Sequence, residues 1–145
     1  MSFHFILILN RQGKSRLVKW FDNRYTVQER QKHISEIHRL ISTRDQKHQS
    51  NFVDYHQNKL VYRRYAGLYF VASIDLFDNE LSCLESLHFF VEVLDAYFND
   101  VCELDLVFNF NKVYLILDEI YIGGEVQEIL KRKILDRLTH IDRSE

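Results

Sequence analysis

The N-terminal part of the chain changes between strand-like and helix-like spacing of its apolar residues. Residues 3–9, FHFILIL, are apolar at almost every position, which predicts a central strand covered on both faces. A short turn, RQGK, separates this run from SRLVKW at residues 15–20, where the pattern alternates. The two segments therefore predict a β-hairpin, in which Gly13 is available for a positive φ angle.

A helix and three further strands are predicted next. Thr26 and Glu29 have the spacing of a capping box. The apolar stripe of this helix continues at helical intervals through Ile34, Ile37 and Ile41. The segments NFVDY and KLVYRRYAGLYFVASID then have the composition of strands, with Ala66-Gly67 as a bend or bulge. We expect five strands up to Asp75, mostly antiparallel in sequence order.

The remainder of the chain is predicted to be helical. Apolar residues from Leu81 to Phe98 form one long stripe, and a second apolar set beside it predicts contact with two surfaces. Residues 104–122 carry their polar positions on one helical face, which predicts a helix ending at Gly123-Gly124. The β-rich composition of this stretch leaves a strand as the alternative. A final amphipathic helix is expected from about Val126 to Leu138.

The predicted order is β-β-α-β-β-β-α-α with a C-terminal helical extension, an α+β fold with helices on both faces of a five-stranded sheet. The apolar helix surface exceeds what one sheet of this size can cover. Such an excess is typical of a chain with a permanent protein partner.

Composition limits the classes of function. The chain has 145 residues, 46 % hydrophobic, with a net charge of −2, and its pI is near 6.4. These values predict one globular domain, residues 1–145, without a general affinity for nucleic acids or anionic membranes. With four glycines and no proline, the sequence offers no candidate linker.

Targeting signals and cysteine usage point to the cytosol. The N-terminus, MSFHFILILN, lacks the basic region and cleavage site of a signal peptide, and no apolar run is long enough for a transmembrane helix. Cys83 and Cys102 form no C-x-x-C pair, which indicates reduced thiols, while one disulfide between them stays open.

The tripeptide Gly13-Lys14-Ser15 resembles the end of a phosphate-binding P-loop. A P-loop requires a second glycine five residues earlier, and that position is Ile8. Its predicted context is strand–turn–strand, whereas a P-loop joins a strand to a helix. The sequence therefore argues against a nucleotide site.

Other candidate chemistry is weak. Seven histidines show no H-x-x-x-H spacing and no cysteine cluster, so scattered surface histidines are the favoured interpretation and no metal site is expected. No catalytic constellation is found, and we expect a protein that is not an enzyme and needs no cofactor. YRRYAG at residues 62–67 could stack on single-stranded nucleic acid, but a strand with outward charges is favoured. The basic hairpin NRQGKSR is either a solvated edge or an anion receptor.

Several long blocks resemble the small (sigma) subunits of the clathrin adaptor complexes. They are FILILNRQGKSRLVKW, RDQKHQSNFV, YRRYAGLYF, FVEVLDAYFNDVCELDLVFNFNKVY and LDEIYIGGEVQEI, and they cover most of the chain in order. RDQKHQSNFV and YRRYAGLYF are most similar to the plasma-membrane endocytic branch, adaptor protein complex two. DNEL and GGEVQE also resemble the Golgi/endosomal branch, which stays as the alternative, as does a purely structural subunit without cargo binding.

The resemblance implies a longin-like fold and a permanent partner. The direct partner would be an alpha-type large adaptin, with a beta adaptin and a mu subunit in the same heterotetramer and clathrin contacted indirectly. The complex would lie peripherally on the cytoplasmic face of the plasma membrane, in clathrin-coated pits. The implied function is stabilisation of the large adaptin and binding of acidic dileucine signals, [D/E]-x-x-x-L-[L/I], in cargo tails.

The resemblance also implies the residues of the dileucine site. Arg16 would bind the acidic residue of the signal, since a guanidinium donates two parallel hydrogen bonds to a carboxylate. The two leucines would enter pockets formed by Ala66, Leu68, Val91, Val101, Leu104 and Leu106. At residue 100 the endocytic branch typically has asparagine, whereas this chain has Asp100. If Asp100 lines the site, its charge should weaken the binding of acidic peptides or change the residues preferred before the leucines.

Overall fold

The computed structural model describes residues 2–47, 50–122, 125–126 and 139, and these form an α+β, longin-like fold. The strands are β1 Phe3–Leu9, β2 Ser15–Trp20, β3 Phe52–Tyr55, β4 Asn58–Tyr65, β5 Leu68–Asp75, β6 Tyr121–Ile122 and β7 Glu125–Val126. The helices are α1 Val27–Gln46, α2 Glu80–Phe98, α3 Glu103–Phe108 and α4 Phe110–Ile120. The predicted fold class is confirmed.

The large sheet has the strand order β2-β1-β5-β4-β3, and every neighbouring pair is antiparallel. Strands β1 and β2 form a hairpin, and β3, β4 and β5 form a meander. The helix α1 connects β2 at one edge to β3 at the other. A side chain of α4 pairs with part of the free edge of strand β2. The Tyr114 hydroxyl accepts a hydrogen bond from the Val18 N–H and donates one to the Val18 carbonyl.

Strand β1 supplies two separate cores from its two faces. Phe5, Leu7 and Leu9 pack toward α1, in one cluster with the helix residues Ile34, Ile37 and Ile41. Ile6 and Ile8 belong to the opposite cluster, which is filled from α2, α3 and α4. All of these residues are buried, which confirms the prediction of a central strand covered on both faces.

Local sequence signals fix the start of α1 and the β4–β5 turn. The Thr26 hydroxyl accepts a hydrogen bond from the Glu29 N–H at 3.2 Å, and the Glu29 carboxylate accepts from the Thr26 N–H at 2.9 Å. The predicted capping box is therefore present. Ala66 and Gly67 both have positive φ angles, 53° and 76°, and form a two-residue hairpin turn rather than a bulge.

The stretch from residue 104 to 120 is helical, but it is divided into two helices. Asn109 separates them, as the C-cap of α3 and the N-cap of α4. The helix also stops at Ile120 and not at Gly123-Gly124 as predicted. The reason is Tyr121, which is buried against Phe3 and Phe90, with ring centroids 4.9 and 6.1 Å away, and bonds Ser86 through its hydroxyl.

The predicted start of the final helix at Val126 is wrong, because Val126 pairs with Tyr121 in the small β6–β7 sheet. The rest of that predicted helix, up to Leu138, lies outside the described residues. Both cysteines are free, Cys83 buried and Cys102 exposed, so the disulfide alternative is excluded. None of the described helices combines the length and the apolar character that a membrane crossing requires.

Apolar side chains remain on the surface of α3 and α4. Leu104, Phe108 and Phe110 are 62 %, 76 % and 53 % exposed. They follow one another along the two helices, so they leave an apolar strip uncovered. This strip is the kind of surface that the sequence predicted for a partner protein.

Candidate functional site

Three backbone N–H groups of the hairpin turn that contains Gly-Lys-Ser already donate to Asn10. The Asn10 side-chain oxygen accepts hydrogen bonds from the N–H groups of Gln12 and Lys14 at 3.0 and 2.9 Å. The Gly13 N–H donates to the Asn10 carbonyl at 3.0 Å. In a P-loop such amides would face the phosphates. The predicted strand–turn–strand hairpin is confirmed.

Gly13 is required for a packing reason. Its φ angle is +88°, and a Cβ at this position would lie 2.7 Å from the ring of His38. That ring bonds the Arg11 carbonyl through Nε2 at 2.7 Å. The glycine therefore lets the β1–β2 turn lie directly against α1.

Arg16 is held by an acidic residue at the start of α3. Its Nε donates to the Glu103 carboxylate at 2.7 Å, and the Asn10 amide donates to the same oxygen at 3.0 Å. The Arg16 side chain is 22 % exposed and that of Glu103 is 36 % exposed. The two terminal nitrogens of Arg16 have no hydrogen-bond partner among the described residues. The guanidinium is therefore positioned through Nε, and its terminal N–H groups are left as unpaired donors.

The same hydrogen bonds act on the acidity of Glu103. The bonds from Asn10, and then from Arg16, hold the pKa of the Glu103 carboxyl below its usual value. The carboxylate is ionised at neutral pH and lies in the first turn of α3, where a negative charge is favourable.

The predicted apolar pocket residues divide into two groups. Leu68, Val91, Val101 and Leu106 are buried and belong to one cluster between the sheet and the helices α2, α3 and α4. Ala66 is exposed at the β4–β5 turn, and Leu104 is 62 % exposed on α3. The structure thus brings the first four together, while the other two do not join the cluster.

Asp100 is exposed and lies in the turn after α2, where it and Asn99 both have positive φ angles. Asp95 holds this turn, because its carboxylate accepts from the Val101 N–H at 3.0 Å. The hydrogen bond to Asp95 first, then burial, and then the negative charges of Asp95 and Asp100 raise the pKa of Tyr65, the last residue of β4.

These elements converge around one polar cleft. A cleft of 410 Å³ is lined by Arg11, Gln12, Ala66, Gly67 and Glu103. It lies between the β1–β2 turn, the β4–β5 turn and the start of α3, and Arg16 contacts its lining residue Glu103. Sequence reasoning missed Glu103 and Asn10 as partners of Arg16. No spacing signal could reveal them, since the contacts connect residues 87 and 93 positions apart along the chain.

Comparison with known proteins agrees with this architecture. The family profile described as "Clathrin adaptor complex small chain" matches residues 2–145. A solved chain titled "Homology model of the full-length AP-3 complex in a stretched open conformation" superposes with a TM-score of 0.75 at 29 % identity. The match covers 98 % of this chain and 94 % of that one.

Curated relatives are similar over nearly their full length. The "AP-2 complex subunit sigma" of Gibberella zeae is 59 % identical, covering 97 % of this chain and 98 % of the relative. For the Dictyostelium discoideum protein of the same name the identity is 55 %, covering 96 % of each chain. The "AP-1 complex subunit sigma-2" of that organism is 47 % identical, covering 98 % of this chain and 91 % of the relative.

The profile match, the relatives and the longin-like fold agree with one another, and the chain belongs to the clathrin adaptor complex small-chain family.

Proposed function

We propose that this chain is the sigma subunit of an AP-2 complex, that it stabilises an alpha-type large adaptin, and that it helps to bind acidic dileucine signals during clathrin-mediated endocytosis. The observation that carries the cargo part is the position of Arg16. It pairs with Glu103 at the start of α3, and the residue that follows Glu103 is the exposed Leu104. A cation and an apolar side chain at neighbouring positions are what an acidic dileucine peptide requires.

The assignment to AP-2 rests on the relatives. Within one organism, Dictyostelium discoideum, the AP-2 sigma subunit is more similar to this chain than the AP-1 subunit is, at 55 % against 47 % identity. This difference favours the endocytic branch over the Golgi/endosomal alternative. It supports a location on the cytoplasmic face of the plasma membrane, in clathrin-coated pits, with beta adaptin and a mu subunit in the same complex.

The two leucines of a signal need apolar contacts. Each fully buried leucine side chain contributes roughly 1.5–3 kcal/mol before the entropy of ordering the peptide is subtracted. Leu104 offers such a contact at the surface, whereas Leu68, Val91 and Leu106 are covered in the free chain. We propose that the peptide docks first on Arg16 and Leu104, and that its leucines then displace neighbouring side chains to reach the buried cluster.

Leu104→Ser should weaken binding of an acidic dileucine peptide to the assembled complex by roughly tenfold, because about 1–2 kcal/mol of apolar contact is lost. Isothermal calorimetry measures this change. Leu81→Ser is the matched control, since Leu81 is 65 % exposed at the start of α2 and the substitution is identical. Equal affinities for the Leu104 variant and the control would remove Leu104 from the site.

Asp100→Asn should strengthen binding of the same peptide about two- to fivefold. One negative charge is removed near the peptide's acidic residue, and at an exposed position this contributes about 1 kcal/mol or less. Asparagine also tolerates the positive φ angle of 73°. The gain should shrink as salt is added.

The control for Asp100 is Asp54→Asn, which removes the same charge at an exposed position of β3, the edge of the sheet opposite β2. If both variants bind equally, Asp100 has no direct influence on the site.

A purely structural subunit is the second candidate. It is favoured by two observations: Arg16 already has a carboxylate partner in Glu103, and four of the pocket residues are buried. Binding of a peptide with two alanines in place of its leucines separates the two functions. Equal affinity for the dileucine and dialanine peptides would favour the structural role.

A further inference from the structure

Three potential metal ligands converge where α1 meets the β3–β4 turn. His33 and Glu36 lie three residues apart on α1 and therefore share one helix face. His56 lies in the turn between β3 and β4, and it brings its imidazole to the same place. This end of α1 is remote in sequence from Arg16 and α3, and none of the three residues lines the cleft described above.

The ligand atoms are already close together. The Glu36 carboxylate oxygen lies 3.9 Å from His33 Nδ1 and 3.6 Å from His56 Nε2. All three ligand atoms lie within 4.8 Å of one another. A tetrahedral Zn²⁺ with bonds of about 2.0–2.1 Å separates its ligands by roughly 3.4 Å. The two distances to Glu36 therefore need to shorten by only a few tenths of an ångström. The distance between the two imidazole nitrogens needs to shorten by more.

The turn that carries His56 is a two-residue hairpin with a left-handed backbone. His56 and Gln57 have φ angles of 47° and 66°. A turn of this type favours Asn-Gly. This turn places the ring of His56 5.3 Å from that of His33.

The protonation states suit metal binding. Burial lowers the pKa of His33, so its imidazole is neutral at neutral pH. Hydrogen bonds, first from Tyr55 and then from His56, hold the pKa of Glu36 below its usual value, so this group is a carboxylate. A neutral imidazole and an ionised carboxyl are the ligand forms that a metal ion requires.

We propose that His33, Glu36 and His56 form a binding site for Zn²⁺ that clips the β3–β4 hairpin to α1. Two imidazoles and one carboxylate are a zinc donor set, and a water completes the tetrahedron. The Tyr55 hydroxyl, 2.6 Å from His33 Nδ1 and 2.9 Å from Glu36, supports the site. On binding, the Nδ1 lone pair coordinates the metal in place of the hydrogen bond to Tyr55, and the single proton of the neutral ring resides on Nε2. The Tyr55 hydroxyl continues to donate to Glu36 and orients it.

The consequence of the proposal concerns the edge of the sheet. Strand β3 has four residues, is the outermost strand and pairs only with β4 in the large sheet. A metal that joins its turn to α1 stabilises the folded state by a free energy that grows with the logarithm of the metal concentration over the dissociation constant. A search for ligand pairs along the sequence misses this site, because the third ligand comes from a different element.

The test compares two substitutions in the same turn of the full chain. His56→Asn removes a ligand but introduces a residue that suits the turn, whereas Gln57→Asn introduces the same residue and leaves all three ligands. After treatment with EDTA and its removal, each protein is titrated with ZnCl₂ by isothermal calorimetry, and its melting temperature is measured with and without zinc. We expect zinc to raise the melting temperature of the wild type and of Gln57→Asn.

His56→Asn should keep its metal-free melting temperature and lose this rise, with zinc affinity lower by at least about tenfold. Absence of a zinc response in the wild type, an equal response in His56→Asn, or an equal loss in Gln57→Asn would each overturn the proposal.

Fluorescence gives a second measurement that does not depend on stability. Trp20 is the single tryptophan, and it lies 6.1 Å from Tyr25, whose ring lies 4.0 Å from that of His33.

Cu²⁺ serves as the probe in that reading, because it also accepts imidazole and carboxylate ligands. It should quench Trp20 in the wild type, and quenching at the same concentration should be lower in both His33→Gln and His56→Asn. Unchanged quenching in both variants would contradict the site.

Discussion

Arg16→Glu is expected to abolish binding of an acidic dileucine peptide to the assembled complex. The substitution removes the guanidinium proposed to bind the acidic residue of the signal, and it places a negative charge where that residue must lie. Isothermal calorimetry or fluorescence anisotropy with a labelled peptide measures the loss. The complex should still assemble, since Arg16 lies on the edge strand β2 and not in either core cluster.

The expected loss of peptide affinity in Arg16→Glu follows from the removal of one partner of a charged pair. Truncating such a partner costs about 2–5 kcal/mol, which corresponds to an affinity loss of roughly 30-fold or more. Reversal of the charge adds repulsion with the peptide. It also places two carboxylates together, because Glu103 lies 2.7 Å from the Arg16 Nε in the wild type. The variant should therefore also lower the melting temperature slightly, and binding must be compared at a temperature where both proteins are folded.

Lys14→Glu provides the matched control. It makes the same change of two charges on the same hairpin, at an exposed residue of the turn. If long-range charge were the cause, both variants would lose affinity equally and high salt would remove the difference between each variant and the wild type. If Arg16 makes the contact, only Arg16→Glu abolishes binding. Full binding by Arg16→Glu would exclude this residue as the anion receptor.

The fold was predictable where local chemistry and burial agree. The run at residues 3–9 is apolar on both faces because β1 contributes to two cores. Thr26 caps α1 because its hydroxyl accepts a hydrogen bond from the Glu29 N–H, while the Glu29 carboxylate accepts one from the Thr26 N–H. The ends of elements were less predictable. Tyr121 ends α4 because its ring is packed by Phe3 from β1, and this contact crosses almost the whole chain. Such tertiary contacts override helical periodicity and leave no local signal.

The site was predictable only in part, for the same reason. From its own pattern, the basic hairpin favoured a solvated edge over an anion receptor, and only the resemblance to the family favoured the anion receptor. The Glu103–Arg16 pair is invisible in sequence because it joins β2 to α3. Leu104 and Val91 were both predicted as pocket residues, but the structure buries them to different degrees: Leu104 is exposed, whereas Val91 is buried, with 2 % of its surface exposed. A substitution at Val91 therefore tests folding before it tests cargo binding.

Val91→Asp is expected to unfold the chain or to lower its free energy of unfolding by about 4 kcal/mol or more, because an unpaired carboxylate is buried. Domains of this kind are stable by only about 5–15 kcal/mol. Urea unfolding followed by circular dichroism measures the change. Leu81→Asp is the exposed control on the same helix, where a carboxylate in the first turn is tolerated. A small change in Val91→Asp would mean that residue 91 is open to solvent and directly available to a peptide.

The pH dependence of this loss separates buried charge from poor packing. The introduced carboxyl has a raised pKa in the folded state because burial disfavours its ionised form. The penalty is therefore fully present above that raised pKa and is relieved as the pH falls toward the unfolded value of about 3.9. Val91→Asn has nearly the same shape and no charge, so its deficit relative to the wild type should not change with pH. Wild-type stability must be measured at each pH, because carboxyls with lowered pKa values, such as Glu36 and Glu103, lose their own contributions as the pH falls. A deficit of Val91→Asp that stays constant between pH 7 and pH 4.5 would show that lost packing, and not buried charge, destabilises the core beneath the proposed cargo site.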